Sequence, residues 1–361
     1  MKMTTSVTST SLEKPLRINE LNALRAIFMF TIFLHHVHVY DGAGYMAVIF
    51  FFMLSGFSLT LGYKDNILAG SFSYKNFTKR RISRLLPLHW LCILISLPLA
   101  VLGITGIGDF LLTLILNASL LHSFVPVKAF YFSFNWVSWF VSAILFFALI
   151  FPFLLKSMAR FSKRWLIVSA IAVVCIYVIV LNQLPEDYYH PILYINPITR
   201  IVDFTIGICL ALLFQRNIGE HKDIKAISSL TWNLMALLSF AVVIAISFFF
   251  PISNPYSIAI IYWIPVGIMI YSIASGSVVG GGKFRVLNNK VLNSLGNISF
   301  TFYMLHQLVM RWTQFVMKHV LQFDESENLA YMIFVLIVTL ALSYLCNIYF
   351  EKPVAKWLTR K

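Results

Sequence analysis

The chain has 361 residues, of which 59% are apolar and 12% charged, with 33 phenylalanines and a formal net charge of +14. A soluble domain carries roughly 25% charged residues, so the composition excludes a soluble protein and points to a polytopic membrane protein. The positive balance does not indicate nucleic acid, because the basic residues fall in alternate connections between apolar runs, as membrane topology requires.

Residues 1–18 form a polar tail rich in Ser and Thr. They are not followed by a clean apolar h-region with a small-residue cleavage site, so the first span is expected to be retained. Ten spans are predicted, at 19–39, 45–61, 85–103, 136–155, 165–184, 196–214, 230–250, 257–276, 295–317 and 329–350. Each is close to the roughly 20 residues a helix needs to cross a bilayer. The second is short, and Gly56 is expected to break it in part. The run 109–123 is apolar but too short, and is expected as a half-buried helix at the outer surface.

Lys and Arg concentrate in segments 62–84, 156–164, 215–229 and 277–294 and at the C-terminus, while the intervening connections hold little beyond Lys128 and Lys318. Ten spans put every rich segment on one side, which the positive-inside rule makes the cytoplasm, with both termini there. The expected architecture is therefore an all-α helical bundle. It comprises a cytoplasmic tail 1–18, a transmembrane domain 19–353 and a cytoplasmic tail 354–361. The four cysteines, Cys92, Cys175, Cys209 and Cys346, are isolated in apolar runs and offer neither metal spacing nor a disulfide pattern.

Candidate chemistry begins in the first span, where Arg25 and His36 interrupt an apolar run. Eleven residues at 100° each come to about 1100°, so both project from one face, roughly 16 Å apart along the axis. Ionisable groups at such depth are costly and usually face a protein-lined cavity. The spacing disfavours a metal site at His35, His36 and His38: His36 points about 100° from His35, and the span offers no carboxylate or cysteine at ligand spacing. His36 is instead a natural general base for a hydroxyl. Arg81 and Arg84, beside Arg80, stand at i, i+3 where the third span begins, a spacing that would share a helix face and grip a phosphate. Arg200 and Asp203 are three apart and can pair, either as structure or as part of the cavity. Ser299, Thr301, Tyr303, His306, Gln307 and Arg311 make the ninth span polar, as a cavity wall would be.

Five stretches together resemble acyltransferase family 3, integral membrane proteins that include bacterial O-antigen and surface-polysaccharide acetylases. They are Arg25 with His36, Phe50–Phe57, Arg80–Pro87, Arg200–Gly207, and Asn297–Phe300 with Tyr303–His306. The resemblance covers residues about 19–353. It implies an O-acyltransferase of the bacterial inner membrane that takes an acyl group, acetyl on family grounds, from cytoplasmic acyl-CoA. The group would pass to a hydroxyl of a periplasmic or cell-surface saccharide. No permanently bound cofactor is expected; acyl-CoA would be a substrate. Arg25 and His36 correspond to the family's catalytic pair, and Arg81 and Arg84 to its Arg-x-x-Arg motif. Arg80, Arg81 and Arg84 would hold the coenzyme phosphates. Arg25 would bind a phosphate or polarise the thioester; His36 would act as a base or be transiently acylated. His35, Ser142, Arg200, Asp203, Tyr303 and His306 would support the cavity. Many relatives carry a glutamate in the fourth span, but the stretch Trp139–Phe146 has none and Ile144 stands near its place. Asp41 and Asp203 are then the nearest acidic partners for His36. No outer domain of SGNH type is expected after Lys352-Pro353. The rival expectation is a transporter or permease for a lipid-linked sugar or small metabolite.

Overall fold

A computed structural model describes residues 18–101, 106–219, 224, 227–250, 255–280, 287–323 and 328–360. The tail up to residue 17, the basic residues Lys222, Lys225, Lys283 and Arg285, and Lys361 lie outside the described residues. All regular structure among the described residues is helical. The helices are α1 (Asn19–His36), α2 (Ala43–Leu68), α3 (Tyr74–Val101), α4 (Ile107–Ala118), α5 (Lys128–Tyr131), α6 (Trp139–Met158) and α7 (Lys163–Gln183). There follow α8 (Pro197–Gly219), α9 (Ser229–Phe249), α10 (Ile260–Gly280), α11 (Lys290–His319), α12 (Leu329–Cys346) and α13 (Lys352–Thr359).

A long helix occupies each of the ten expected spans. Among the described residues, eight long helices hold a stretch long and apolar enough to cross a membrane; α1 and α11 are the other two. Their polar residues face the bundle rather than lipid: Glu20 and Thr31 of α1 and Ser299, Thr301 and His306 of α11 are buried. The helices α7, α9 and α12 instead expose apolar residues such as Ile176, Leu238 and Ile337, as lipid-facing helices do.

Several boundaries differ from expectation. Helix α2 runs unbroken for 26 residues, and Gly56 serves packing instead. A Cβ on Gly56 would overlap the Phe204 carbonyl of α8, and one on Gly207 of α8 would overlap the Met53 carbonyl of α2. Two glycines thus let the two backbones touch, the small-residue packing of membrane helices. Helix α3 begins at Tyr74, where Ser73 Oγ accepts from the Asn76 backbone N–H at 3.3 Å. Arg80, Arg81 and Arg84 therefore lie on helix, not in a loop. Residues Asn347–Glu351 form a π-helical turn that leads into α13, so most of the expected tail 354–361 is a helix. Lys79 Nζ of α3 donates to the Arg360 carbonyl at 3.2 Å, tying its end down. Helix α4 is too short to span, as expected: its 12 residues reach only about 18 Å, with Ile107 and Ile115 exposed and only Asn117 buried.

Helix α1 ends immediately after His36 by a Schellman motif. His38 sits at φ 55°, the Val39 N–H bonds to the Leu34 carbonyl at 3.0 Å and the His38 N–H to the His35 carbonyl at 3.2 Å. This pattern satisfies orphan carbonyls and stops the helix. His36 is thereby the last helical residue, at the negative end of the helix dipole.

Gly56→Val or Gly207→Val should force α2 and α8 apart, costing at least the ~1–3 kcal/mol typical of overpacking. Gly62, whose Cβ would meet nothing within 4 Å, should accept alanine with no loss. Thermal unfolding in detergent of the three variants checks this contrast.

Candidate active site

Helices α1 and α11 form the spine of the site. Asn22 Nδ2 donates to the Asn293 carbonyl at 2.9 Å and to Asn297 Oδ1 at 3.2 Å. A Cβ on Gly296 would overlap the Asn22 carbonyl. Further along, Phe33 packs edge-on against Phe302, and His36 meets His306. Contacts advance in the same direction on both helices, so the two run parallel and in close contact.

Arg25 and His36 do share a face, but they open into two chambers rather than one. The first, about 260 Å³, is lined by Arg25, Arg81, Arg84, Tyr63, Ser55, Ser58 and apolar residues that include Ile144, with Tyr303 among its walls. The second, about 380 Å³, is lined by His35, His36, Tyr45, Trp136, Trp139, His190, Tyr194, Gln307 and Arg311, again with Tyr303. Tyr303 is the common wall, held there by its hydroxyl donating to the Val137 carbonyl at 2.9 Å.

In the first chamber the positive charge is incompletely paired. The Nε atoms of Arg25 and Arg81 are buried with no hydrogen-bond partner, while the Arg81 guanidinium lies over the rings of Phe77 and Tyr63. Buried donors without partners are costly, so this chamber suits an anionic or carbonyl-bearing ligand. Arg84 Nε lies 3.8 Å from Glu351 Oε1. Glu351 also accepts from Thr301 Oγ1 and from Asn347 Nδ2. Arg80 is exposed and lines neither chamber, which departs from its expected place with Arg81 and Arg84.

In the second chamber, His36 Nδ1 lies 2.9 Å from the Ile32 carbonyl and 3.2 Å from His306 Nε2. His306 Nδ1 in turn lies 2.7 Å from the Tyr303 carbonyl. His306 is fully buried behind His36, one layer back from the wall it was expected to form. His35 gives its Nδ1 proton to the Asp41 carbonyl; its ring fills the space that Gly44 leaves by lacking a Cβ. Gln307 Oε1 is buried without a partner, an acceptor free for a ligand. Arg311 donates to the Phe134 carbonyl and stacks over Trp136.

Three expected cavity residues are structural. The Arg200 Nη2–Asp203 Oδ2 pair, at 3.0 Å, is 1% exposed on both sides. Arg200 lies over Phe52 and Tyr194, and Asp203 accepts from Trp263 Nε1, so neither reaches a chamber. Tyr194 stands between Arg200 and the second chamber. Ser142 accepts from Ser123 Oγ and donates to the Leu120 carbonyl, fastening the segment after α4. Asp41 touches His35 and His38 and Asp203 pairs with Arg200, so neither is a partner of His36. The histidine at that position is His306, and the carboxylate near Arg84 is Glu351. Both stand in plain sight in the sequence, but no local spacing joins either one to α1 or α3. The only signal for Glu351 is a carboxylate at the end of an apolar run.

A family model described as an acyltransferase domain matches residues 18–348. The chain belongs to the acyltransferase 3 family. Acyltransferase MdmB of Streptomyces mycarofaciens is 28% identical over 288 residues, covering 74% of this chain and 69% of that protein. No solved structure matches the chain. The family makes this membrane protein an acyl-transferring enzyme, as expected of an O-acyltransferase, and sets aside the transporter reading.

Arg200→Met alone leaves Asp203 buried and unpaired and should cost ~3–5 kcal/mol, whereas adding Asp203→Leu should recover most of it; thermal unfolding of the single and double variants reads this directly. His190, in the connection between α7 and α8, is pulled down to about 4 by burial and by the charge of Lys128. The unfolded chain takes up that proton first, near pH 6.5, so stability is lost as pH falls from about 6.5 toward 4. The melting temperature in detergent should drop across that window, and His190→Gln should flatten part of the drop.

Proposed function

We propose that the protein transfers an acyl group, acetyl by preference, from acyl-CoA in the Arg25 chamber to a saccharide hydroxyl in the His36 chamber. One observation carries this reading: a basic chamber with unpartnered arginine donors and a histidine-lined chamber share a single wall, Tyr303. The coenzyme's phosphates are matched by the Arg81 and Arg84 side chains, and its slender arm suits the narrow apolar walls of Phe51, Phe140 and Phe300. The rings of Trp136, Trp139 and Tyr194 suit the apolar faces of a sugar, and Gln307 and Arg311 suit its hydroxyls.

The reaction needs one proton moved. The acceptor hydroxyl gives its proton to His36 while its oxygen attacks the thioester carbonyl. The new C–O bond forms, the C–S bond breaks, and the proton passes from His36 to the departing thiolate. General-base assistance of this kind contributes roughly 10²–10⁴-fold. Arg25 stands about 16 Å along the helix from His36, too far for both to act on one carbonyl, so Arg25 grips the donor's arm or phosphate. By the positive-inside rule the Arg25 end faces the cytoplasm, where acyl-CoA is made. The membrane is the bacterial inner membrane.

The test uses inverted membrane vesicles from bacteria expressing the protein, with radiolabelled acetyl-CoA outside and label counted in the glycan fraction. His36→Ala should lower transfer by at least about 10²-fold. Arg81→Ala should weaken acetyl-CoA binding by about tenfold or more, given the ~1.5–3 kcal/mol of a charged hydrogen bond. Undiminished transfer by His36→Ala would overturn the assignment, and purified protein that binds no coenzyme A would remove the donor.

A further inference from the structure

His36 and His306 share one proton-accepting arrangement that determines which nitrogen of His36 does chemistry. His306 Nδ1 faces the Tyr303 carbonyl at 2.7 Å. A carbonyl oxygen only accepts, so Nδ1 of His306 carries the hydrogen, and in the neutral ring Nε2 is then a bare lone pair. That lone pair points at His36 Nδ1 from 3.2 Å. On its other side the same Nδ1 faces a second pure acceptor, the Ile32 carbonyl at 2.9 Å.

With a bare Nδ1, His36 would set a lone pair against two others. With a protonated Nδ1 it satisfies both. His36 is therefore held as the Nδ1–H tautomer, and its basic nitrogen is Nε2, which has no hydrogen-bond partner among the described residues while the ring lines the chamber. His306 is fully buried and lines neither chamber, so it does not touch a substrate there.

From this we infer that His306 is a positioning residue for acyl transfer: its Nε2 lone pair fixes His36 in the tautomer that presents Nε2 to the acceptor hydroxyl. When His36 Nε2 takes the hydroxyl proton, the imidazolium keeps Nδ1–H directed at the His306 lone pair. The proton cannot travel past His306, because the Tyr303 carbonyl cannot release one. It stays on the pair until His36 Nε2 returns it to the thiolate. The place that a carboxylate holds behind the histidine of many acid–base pairs is here filled by a neutral imidazole and a main-chain carbonyl. The C-terminal end of α1 adds a favourable dipole for the transient charge.

This inference rests on the proposed role of His36, and the experiment separates the two. In the vesicle assay with radiolabelled acetyl-CoA, turnover and the KM for acetyl-CoA are measured for His306→Gln, His306→Leu and His306→Asn. Gln places an oxygen acceptor where Nε2 stood and should keep turnover within several-fold of the parent. Leu fills similar space without an acceptor, and Asn is too short to reach His36. Both should lose roughly 10–100-fold in turnover, the usual cost of losing such a partner, with KM unchanged within about threefold. Asn decides the matter if Leu fails to fold. Parental turnover in a folded Leu or Asn variant, or equal losses in Gln and Leu, would overturn the positioning role. If His36→Ala is inactive in the same assay while His306→Leu is not, only this inference fails. If His36→Ala is fully active, the reading beneath it fails.

Discussion

Where Gly296 meets Asn22, a Cβ would overlap a main-chain carbonyl, and α1 and α11 approach as closely as backbones allow. Everything about the two histidines depends on that contact. A parallel pair of helices fixed at one end by Asn22, Asn293 and Asn297 has little freedom of register at the other. His36 and His306 are brought to 3.2 Å by packing that occurs more than two helical turns away. The Schellman stop at His38 then ends α1 before it can carry His36 past its partner.

Polar groups in this bundle follow two different rules. Arg200, Asp203, Ser142, His89 and Asn117 are buried and mostly paired, and they hold elements together. Arg25, Arg81 and Gln307 each bury an atom without a partner, and each lines a chamber. A buried donor or acceptor left unsatisfied is costly, and each of these three is open to a ligand in its chamber. The distinction is one of position, since Arg200 Nε, His89 Nδ1 and Asn117 Oδ1 also lack a hydrogen bond: the first group packs between elements and the second lines a chamber. It places Arg200 and Arg25, both intramembrane arginines by sequence, in different classes.

Glu351 shows how a local irregularity adjusts the site. A π-helical turn over Asn347–Glu351 shifts the helical phase between α12 and α13, and π-helical turns often mark functional positions. The shift turns a carboxylate inward against Thr301, Asn347 and Arg84. At Ile144 the chamber wall is apolar, and Glu351 brings a carboxylate beside Arg84 from the far end of the chain.

Local pattern was enough for much of this protein. Runs of about twenty apolar residues specify the long helices because each must satisfy its own backbone in lipid. The eleven-residue spacing puts Arg25 and His36 on one face because the helical period is fixed by backbone geometry. The i, i+3 spacing of Arg81 and Arg84 delivers both to one chamber for the same reason. Only the tertiary structure decided that His36 is backed by His306 rather than by Asp41 or Asp203, that Arg200 and Asp203 are core, that Arg80 faces away, and that the cavity is two chambers divided by Tyr303. His36 and His306 are 270 residues apart in the chain, and no periodicity spans that distance. Their meeting depends on which helices are neighbours and how closely glycine lets them approach, a property of packed surfaces rather than of any single segment.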